Sequence, residues 1–290
     1  MCNSSYGSAY DGYLAEFNAY AGGVYNELTE STLTNAMKYS FFAGGKRVRP
    51  VIMMACVEKL GGNVKKILPF AFALECIHTY SLVHDDLPAI DNDVLRRGKP
   101  TCHIAYGEAA AVLAGDGLLN FAFEHLLGNV TSKREIEATK IIAEYSGYDG
   151  MLGGQAADVE NEKRKDCGID ELNDIYDKKT GKFLTLPFLI PSILFAPEKV
   201  DVAKECGKIF GRLFQYCDDL LDVLSTSEKT GKNCGKDARD KKRTSVGVLG
   251  VDGVRNTVIE LQKRLVFQST DLIDEKLLKR FLDKFVGEVL

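Results

Sequence analysis

The sequence carries no excess of positive charge: 37 Lys and Arg stand against 41 Asp and Glu, a net charge of −4. Without a basic face the chain is poorly suited to a phosphodiester backbone, so nucleic acid is not expected as a partner. Its eight cysteines include no C-x-x-C pair, which argues against a zinc site and suits thiols kept reduced in the cytoplasm. No apolar run reaches the roughly 20 residues that a bilayer span needs. The longest, Phe183 to Ala196, is interrupted by Pro187 and Pro191. The N-terminus lacks a charged-then-apolar leader and the C-terminus a lipidation cysteine. The expectation is therefore a soluble, cytoplasmic protein with no membrane partner. Alternating strand-like runs are nearly absent, as are internal repeats and low-complexity linkers.

What the sequence does have is helical periodicity, almost throughout. Ser31-Thr32 caps a helix running to about Phe42, with Gly44-Gly45 as its stop, and Pro50 suits the first turn of the next. Further helices are predicted at about 67–86, 107–127, 133–163, 170–182, 184–195, 199–225, 253–266 and 274–289. The fold class read from this pattern is all-α, a single domain over 1–290 of about ten helices. The one long polar interruption, Ser225 to Ser245, has the length of a functional loop.

Two aspartate clusters end apolar helical segments: Asp85-Asp86-Leu87-Pro88-Ala89-Ile90-Asp91 and Asp218-Asp219-Leu220-Leu221-Asp222. Carboxylates crowded together repel, so such clusters call for cations between them. Asp218 and Asp222, spaced i, i+4, project from one helical face. Hard oxygen donors at this density suit Mg²⁺, which bridges one or two carboxylates to phosphates. An EF-hand loop is excluded, because counting from Asp85 or Asp91 puts Leu87, Ala89 and Arg96 at positions where calcium ligands or glycine are required. Basic runs accompany the acids: Arg96-Arg97-Gly98 after the first cluster, and Gly44-Gly45-Lys46-Arg47-Val48-Arg49-Pro50 in an inter-helix turn. Each alone is an ordinary solvated turn; beside a metal site they suit two separate phosphate groups.

The stretch Glu75–His84 leading into Asp85–Asp91 and Asn92–Thr101, with Gly44–Pro50, Gly153-Gly154-Gln155, Lys179-Thr180 and Phe214–Asp222, resembles the short-chain trans-polyprenyl diphosphate synthases, in particular the bacterial farnesyl diphosphate synthase type. The motifs fall in family order over nearly the whole chain. The resemblance implies a helical bundle around a central cavity and addition of isopentenyl diphosphate to an allylic diphosphate. It implies Mg²⁺ as cofactor, three ions with substrate bound (Mn²⁺ being an alternative), and a homodimer. Asp85, Asp91 and Asp218 are then metal ligands, supported by Asp86 and Asp222. Arg96, Lys179, Lys232 and Lys242 contact the allylic diphosphate, and Gln215 lies beside its reacting end. Lys46, Arg49, His78 and Arg97 receive isopentenyl diphosphate. His78, seven residues before Asp85, sits two turns earlier on the same helical face; a structural histidine is the plain alternative.

Thr180 suits a phosphate hydrogen bond or a local cap equally, and Gln155 and Asp158 suit either the cavity or helix packing. Residues just upstream of the first aspartate floor the product pocket in this family. Here they are Tyr80 and Ser81, and the bulky Tyr80 favours a C15 product over C20. Val94 stands where many relatives have an acid, and Ser245-Val246 replaces an aromatic-proline pair. A class I terpene cyclase would not need the second diphosphate site of Lys46, Arg49 and Arg97. A non-catalytic subunit would be expected to lose aspartates that this chain keeps.

Overall fold

The computed structural model describes residues 4–161, 167–224, 244–283 and 285–290. Among these residues the fold is all-α, as expected, apart from a minimal hairpin. The helices are α1 (Ser4–Asn26), α2 (Thr32–Phe41), α3 (Val48–Lys59), α4 (Leu68–Asp85), α5 (Cys102–Tyr106), α6 (Glu108–Asn129), α7 (Lys133–Ser146), α8 (Met151–Asn161), α9 (Ile169–Tyr176), α10 (Lys182–Phe195), α11 (Val200–Leu224), α12 (Ser245–Gln268) and α13 (Glu275–Asp283). A π-helical turn, Asp177–Gly181, joins α9 to α10. The hairpin pairs β1 (Leu95–Arg96) with β2 (Lys99–Pro100). No helix among the described residues is long and apolar enough to cross a membrane.

The chain forms two compact units, one from the described residues of 1–54 and 64–139, the other from those of 55–63, 140–226 and 234–290. In the first, α4 packs along α6, and Phe17, Tyr25, Phe41 and Phe72 are fully buried around it. Each such ring contributes roughly 1.5–3 kcal/mol of burial. In the second, α11 lies between α10 and α12, with Phe183, Phe188 and Phe210 at its centre.

The caps follow local chemistry. Ser31 accepts a hydrogen bond from the Thr34 amide at 3.1 Å and closes the start of α2. Departures from the periodicity reading have identifiable causes. The segment expected as one helix over 133–163 divides into α7 and α8 across Gly147 to Gly150. α10, by contrast, agrees with the expected helix over 184–195 and continues through Pro187 and Pro191, buried from Phe183 to Ile193. α1 lies outside the segments singled out by periodicity, although Phe17, Ala21 and Tyr25 repeat every four residues and are all buried.

Candidate active site

In the first unit α4 carries the chemistry. Asp85 is its last residue and Asp86 its C-cap. The chain then curls back, and the Asp91 amide donates to the Asp85 carbonyl at 2.8 Å while the Asn92 amide donates to that of Leu87 at 3.0 Å. Three aspartates thus gather at the negative end of a helix, where the backbone dipole adds to their mutual repulsion. One cation already answers this. Arg96 donates through Nε to both Asp86 oxygens at 2.8 Å and through Nη2 at 2.6 Å, with the Asp86 side chain only 3% exposed. Burial works against the Arg96 charge, but the bond to Asp86 holds its pKa above the ordinary guanidinium value. Asp85 and Asp91 stay half-buried.

The hairpin aims the neighbouring arginine elsewhere. Arg97 and Gly98 have φ of 54° and 74°, the pattern of a two-residue primed turn that matches strand twist. At the tip, Arg97 donates to the Gly44 carbonyl. Gly45, at φ 118°, lies so close that a Cβ there would stand 2.6 Å from the Arg97 Cζ. Only glycine fits. Lys46 is exposed, and Arg49 and His78 are half-buried beside Arg97. Burial lowers the Arg49 pKa to about 10, Glu75 opposing and Arg97 adding to the effect. Burial, then Arg49, Arg97, Arg96 and Arg47, pushes His78 well below the ordinary imidazole value. In the unliganded protein this environment favours the neutral imidazole, which keeps an N–H to donate.

In the second unit, α11 presents Asp218 exposed and Asp222 half-buried on one face, with Asp219 turned inward and 4% exposed. Asp219 accepts from Tyr176 Oη at 2.6 Å, Ser245 Oγ at 2.6 Å, the Ser245 amide at 2.9 Å and Gln215 Nε2 at 3.1 Å. Burial raises its pKa against the pull of these donors. Gln215 in turn accepts from Thr180 Oγ1 at 3.1 Å, so its amide is held from both ends. The π-helical turn brings Thr180 to Gln215 and Lys179 to the buried Asp158, with which it pairs. The turn fits because Gly154 has no side chain: a Cβ there would stand 2.1 Å from the Lys179 nitrogen. Arg212 grips the other side, bonding Asp177 at 2.7 and 2.8 Å.

The comparisons with known proteins decide the family. Residues 30–276 match the family model described as Polyprenyl synthetase. The chain belongs to the polyprenyl synthetase family. A farnesyl diphosphate synthase of Bacillus subtilis is 38% identical over 271 residues, 86% of this chain and 91% of that one. A chloroplastic geranylgeranyl pyrophosphate synthase of Capsicum annuum is 43% identical over 233 residues, 79% of this chain and 63% of the relative's own length. The crystal structure of a Helicobacter pylori geranyltransferase complexed with magnesium and isoprenyl diphosphate has a TM-score of 0.84 and 28% identity, covering 99% of this chain and 98% of that one. The chain is a trans-prenyltransferase with the isoprenoid synthase fold.

Within this polyprenyl synthetase, the first unit gathers Arg49, His78 and Arg97 near one another, leaves Lys46 exposed on the Gly44–Pro50 turn, and holds Asp85, Asp86, Asp91 and Arg96 in one loop. The second unit gathers Lys179, Thr180 and Gln215, and holds Asp218 and Asp222 on one face. Lys232, Lys242 and nearly all of the Ser225 to Ser245 loop lie outside the described residues. Among the described residues no three His, Cys, Asp or Glu side chains converge into a metal cage. Tyr80 is 4% exposed, its ring 5.8 Å from that of His84, and Ser81 is half-buried with its hydroxyl donating to the His78 carbonyl at 3.0 Å. Two residues escaped the sequence reading. Asp219 lies three positions after Tyr216 on the buried stripe of α11, a readable signal masked by its acidic neighbours. Tyr176, 43 residues away, carried no local signal.

Proposed function

We propose that this prenyltransferase condenses isopentenyl diphosphate with dimethylallyl or geranyl diphosphate and stops at farnesyl diphosphate. The observation that carries this is the first unit's pairing of an acidic loop, Asp85 to Asp91, with a neighbouring cationic group in which Arg49 and Arg97 lie beside His78. One anion site beside a carboxylate cluster fits two diphosphate substrates, whereas a cyclase needs one.

The donor set fits Mg²⁺. Asp85, Asp91, Asp218 and Asp222 offer hard oxygens at surfaces open enough for a cation that keeps several waters, and Asp86 lends its charge while committed to Arg96. When bound, Mg²⁺ supplies positive charge to the diphosphate oxygens and withdraws electrons from the breaking bond. The chain's own groups do the rest. Arg96 and Lys179 hold the allylic diphosphate, whose C–O bond breaks with the electron pair leaving on oxygen. Gln215, fixed by Asp219 and Thr180, orients polar contacts beside the reacting carbon. Lys46, Arg49, Arg97 and the His78 N–H hold isopentenyl diphosphate so that its double bond attacks that carbon. The proton lost from the new chain passes to the released diphosphate, so no protein base is required. A homodimer and Lys232 and Lys242 as further diphosphate contacts belong to the same reading.

Purified protein with Mg²⁺, isopentenyl diphosphate and geranyl diphosphate is expected to yield chiefly a C15 diphosphate by chromatography of the dephosphorylated products. No condensation at all would reject the reading; a C20 product would reject only the chain-length part. That part rests on Tyr80, whose phenol burial and then Asp85 push up to about 12. Tyr80→Ala is expected to move the main product from C15 to C20 or longer, at a stability cost of roughly 3 kcal/mol. An unchanged product distribution would remove Tyr80 as the floor.

A further inference from the structure

Arg47 is the basic residue of the Gly44–Pro50 turn to which the substrate reading gives no role. The structure buries it. Its guanidinium donates to Glu75 Oε1 at 2.5 Å and to the Phe41 carbonyl, and stacks over the Phe41 ring 4.7 Å from the centroid. The two side chains are 4% and 2% exposed. Arg47 also takes φ 44°, a left-handed conformation that a non-glycine residue adopts at a cost and keeps only where surrounding contacts demand it. The inward turn at Arg47 leaves Lys46 exposed and Arg49 half-buried on either side.

Glu75 sits in the interior of α4, three residues before His78 and so on a neighbouring part of the same face. Its carboxylate supports the charges of Arg49 and Arg97 as well as pairing with Arg47. Three guanidinium groups therefore share one buried negative charge. Without it they would repel one another in a medium that screens poorly.

We propose that Arg47 and Glu75 are positioning residues for the isopentenyl diphosphate site. Their pair pins the Gly44–Pro50 turn, and the Glu75 carboxylate is the resident counter-charge that keeps Arg49 and Arg97 together beside His78 until a diphosphate arrives. This rests on the reading that Lys46, Arg49, His78 and Arg97 bind that substrate.

The test varies each substrate separately. Arg47→Lys keeps a charge opposite Glu75 but loses the fork to the Phe41 carbonyl. It is expected to raise KM for isopentenyl diphosphate about tenfold while KM for geranyl diphosphate stays within about twofold. A second variant, Arg47→Met with Glu75→Met, removes the buried pair together, which tends to spare stability. It is expected to stay folded at a somewhat lower melting midpoint, because Arg49 and Arg97 lose their counter-charge, and still to show the raised KM for isopentenyl diphosphate. A brace with no part in binding would give the opposite: both KM values unchanged or rising together in Arg47→Lys, or KM restored in the double variant. Either result overturns the proposal. Arg49→Ala separates the two levels. If it raises KM for isopentenyl diphosphate while Arg47→Lys does not, the positioning role alone fails; if it leaves that KM unchanged, the site assignment fails as well.

Discussion

Asp85→Ala is expected to lower the rate of condensation by about a thousandfold or more, the loss that follows when a preorganised electrostatic contact to the leaving group is removed. The protein should remain folded. Asp85 is half-buried at the last position of α4, where a carboxylate opposes the helix dipole and two like-charged neighbours. Asp86→Ala is a contrasting control, because it strips Arg96 of its bidentate partner and leaves its guanidinium only the longer contact to Asp93 at 3.9 Å. Initial rates with both substrates and Mg²⁺, together with a thermal melt, separate the two. If Asp85→Ala kept its turnover within tenfold of the parent, the first acidic cluster would not be the diphosphate-holding centre.

The largest stability effect is expected at Asp219. Asp219→Ala removes the acceptor of four hydrogen bonds at once, orphaning the Tyr176 and Ser245 hydroxyls and the Gln215 amide donor and leaving the Ser245 amide only a longer bond to Tyr176 Oη at 3.3 Å. Unmet buried donors of this kind cost about 3 kcal/mol or more together, equivalent to roughly 5 °C in the melting midpoint of a chain this size. Asp219→Asn should cost less, since the amide keeps one accepting oxygen. Turnover should also fall in both variants, because Gln215 loses the bond that orients its amide. Differential scanning calorimetry decides the first point. An Asp219→Ala protein melting at the parent temperature would show that Asp219 does not hold α9, α11 and the start of α12 together.

The contrast between Asp218 and Asp219 explains how much of the site was legible. Local chemistry made both acidic clusters visible, because carboxylates at the ends of apolar helices stand out against the hydrophobic pattern. The i, i+4 spacing put Asp218 and Asp222 on one face, and that is where they lie. Gly44-Gly45, Ser31 and Pro50 marked helix ends through backbone preferences that act within a few residues. The π-helical turn was not legible. Asp177-Lys178-Lys179-Thr180-Gly181 falls inside the helix expected over about 170–182, whereas the wider turn depends on Gly154 and Arg212 packing around it.

By itself, then, the sequence determined the helical class, the positions of the two acidic motifs and the charge types beside them. These depend on periodicity, caps and residue chemistry, which act over a turn or two of chain. Tertiary structure alone decided what each member of a motif does. Asp86 turns to Arg96, Asp219 to Tyr176 and Ser245, and Arg47 to Glu75. The last three partners lie 26 to 43 residues from the groups they meet. A buried charge goes wherever the fold supplies a partner, because leaving it unpaired costs more than any local preference can return.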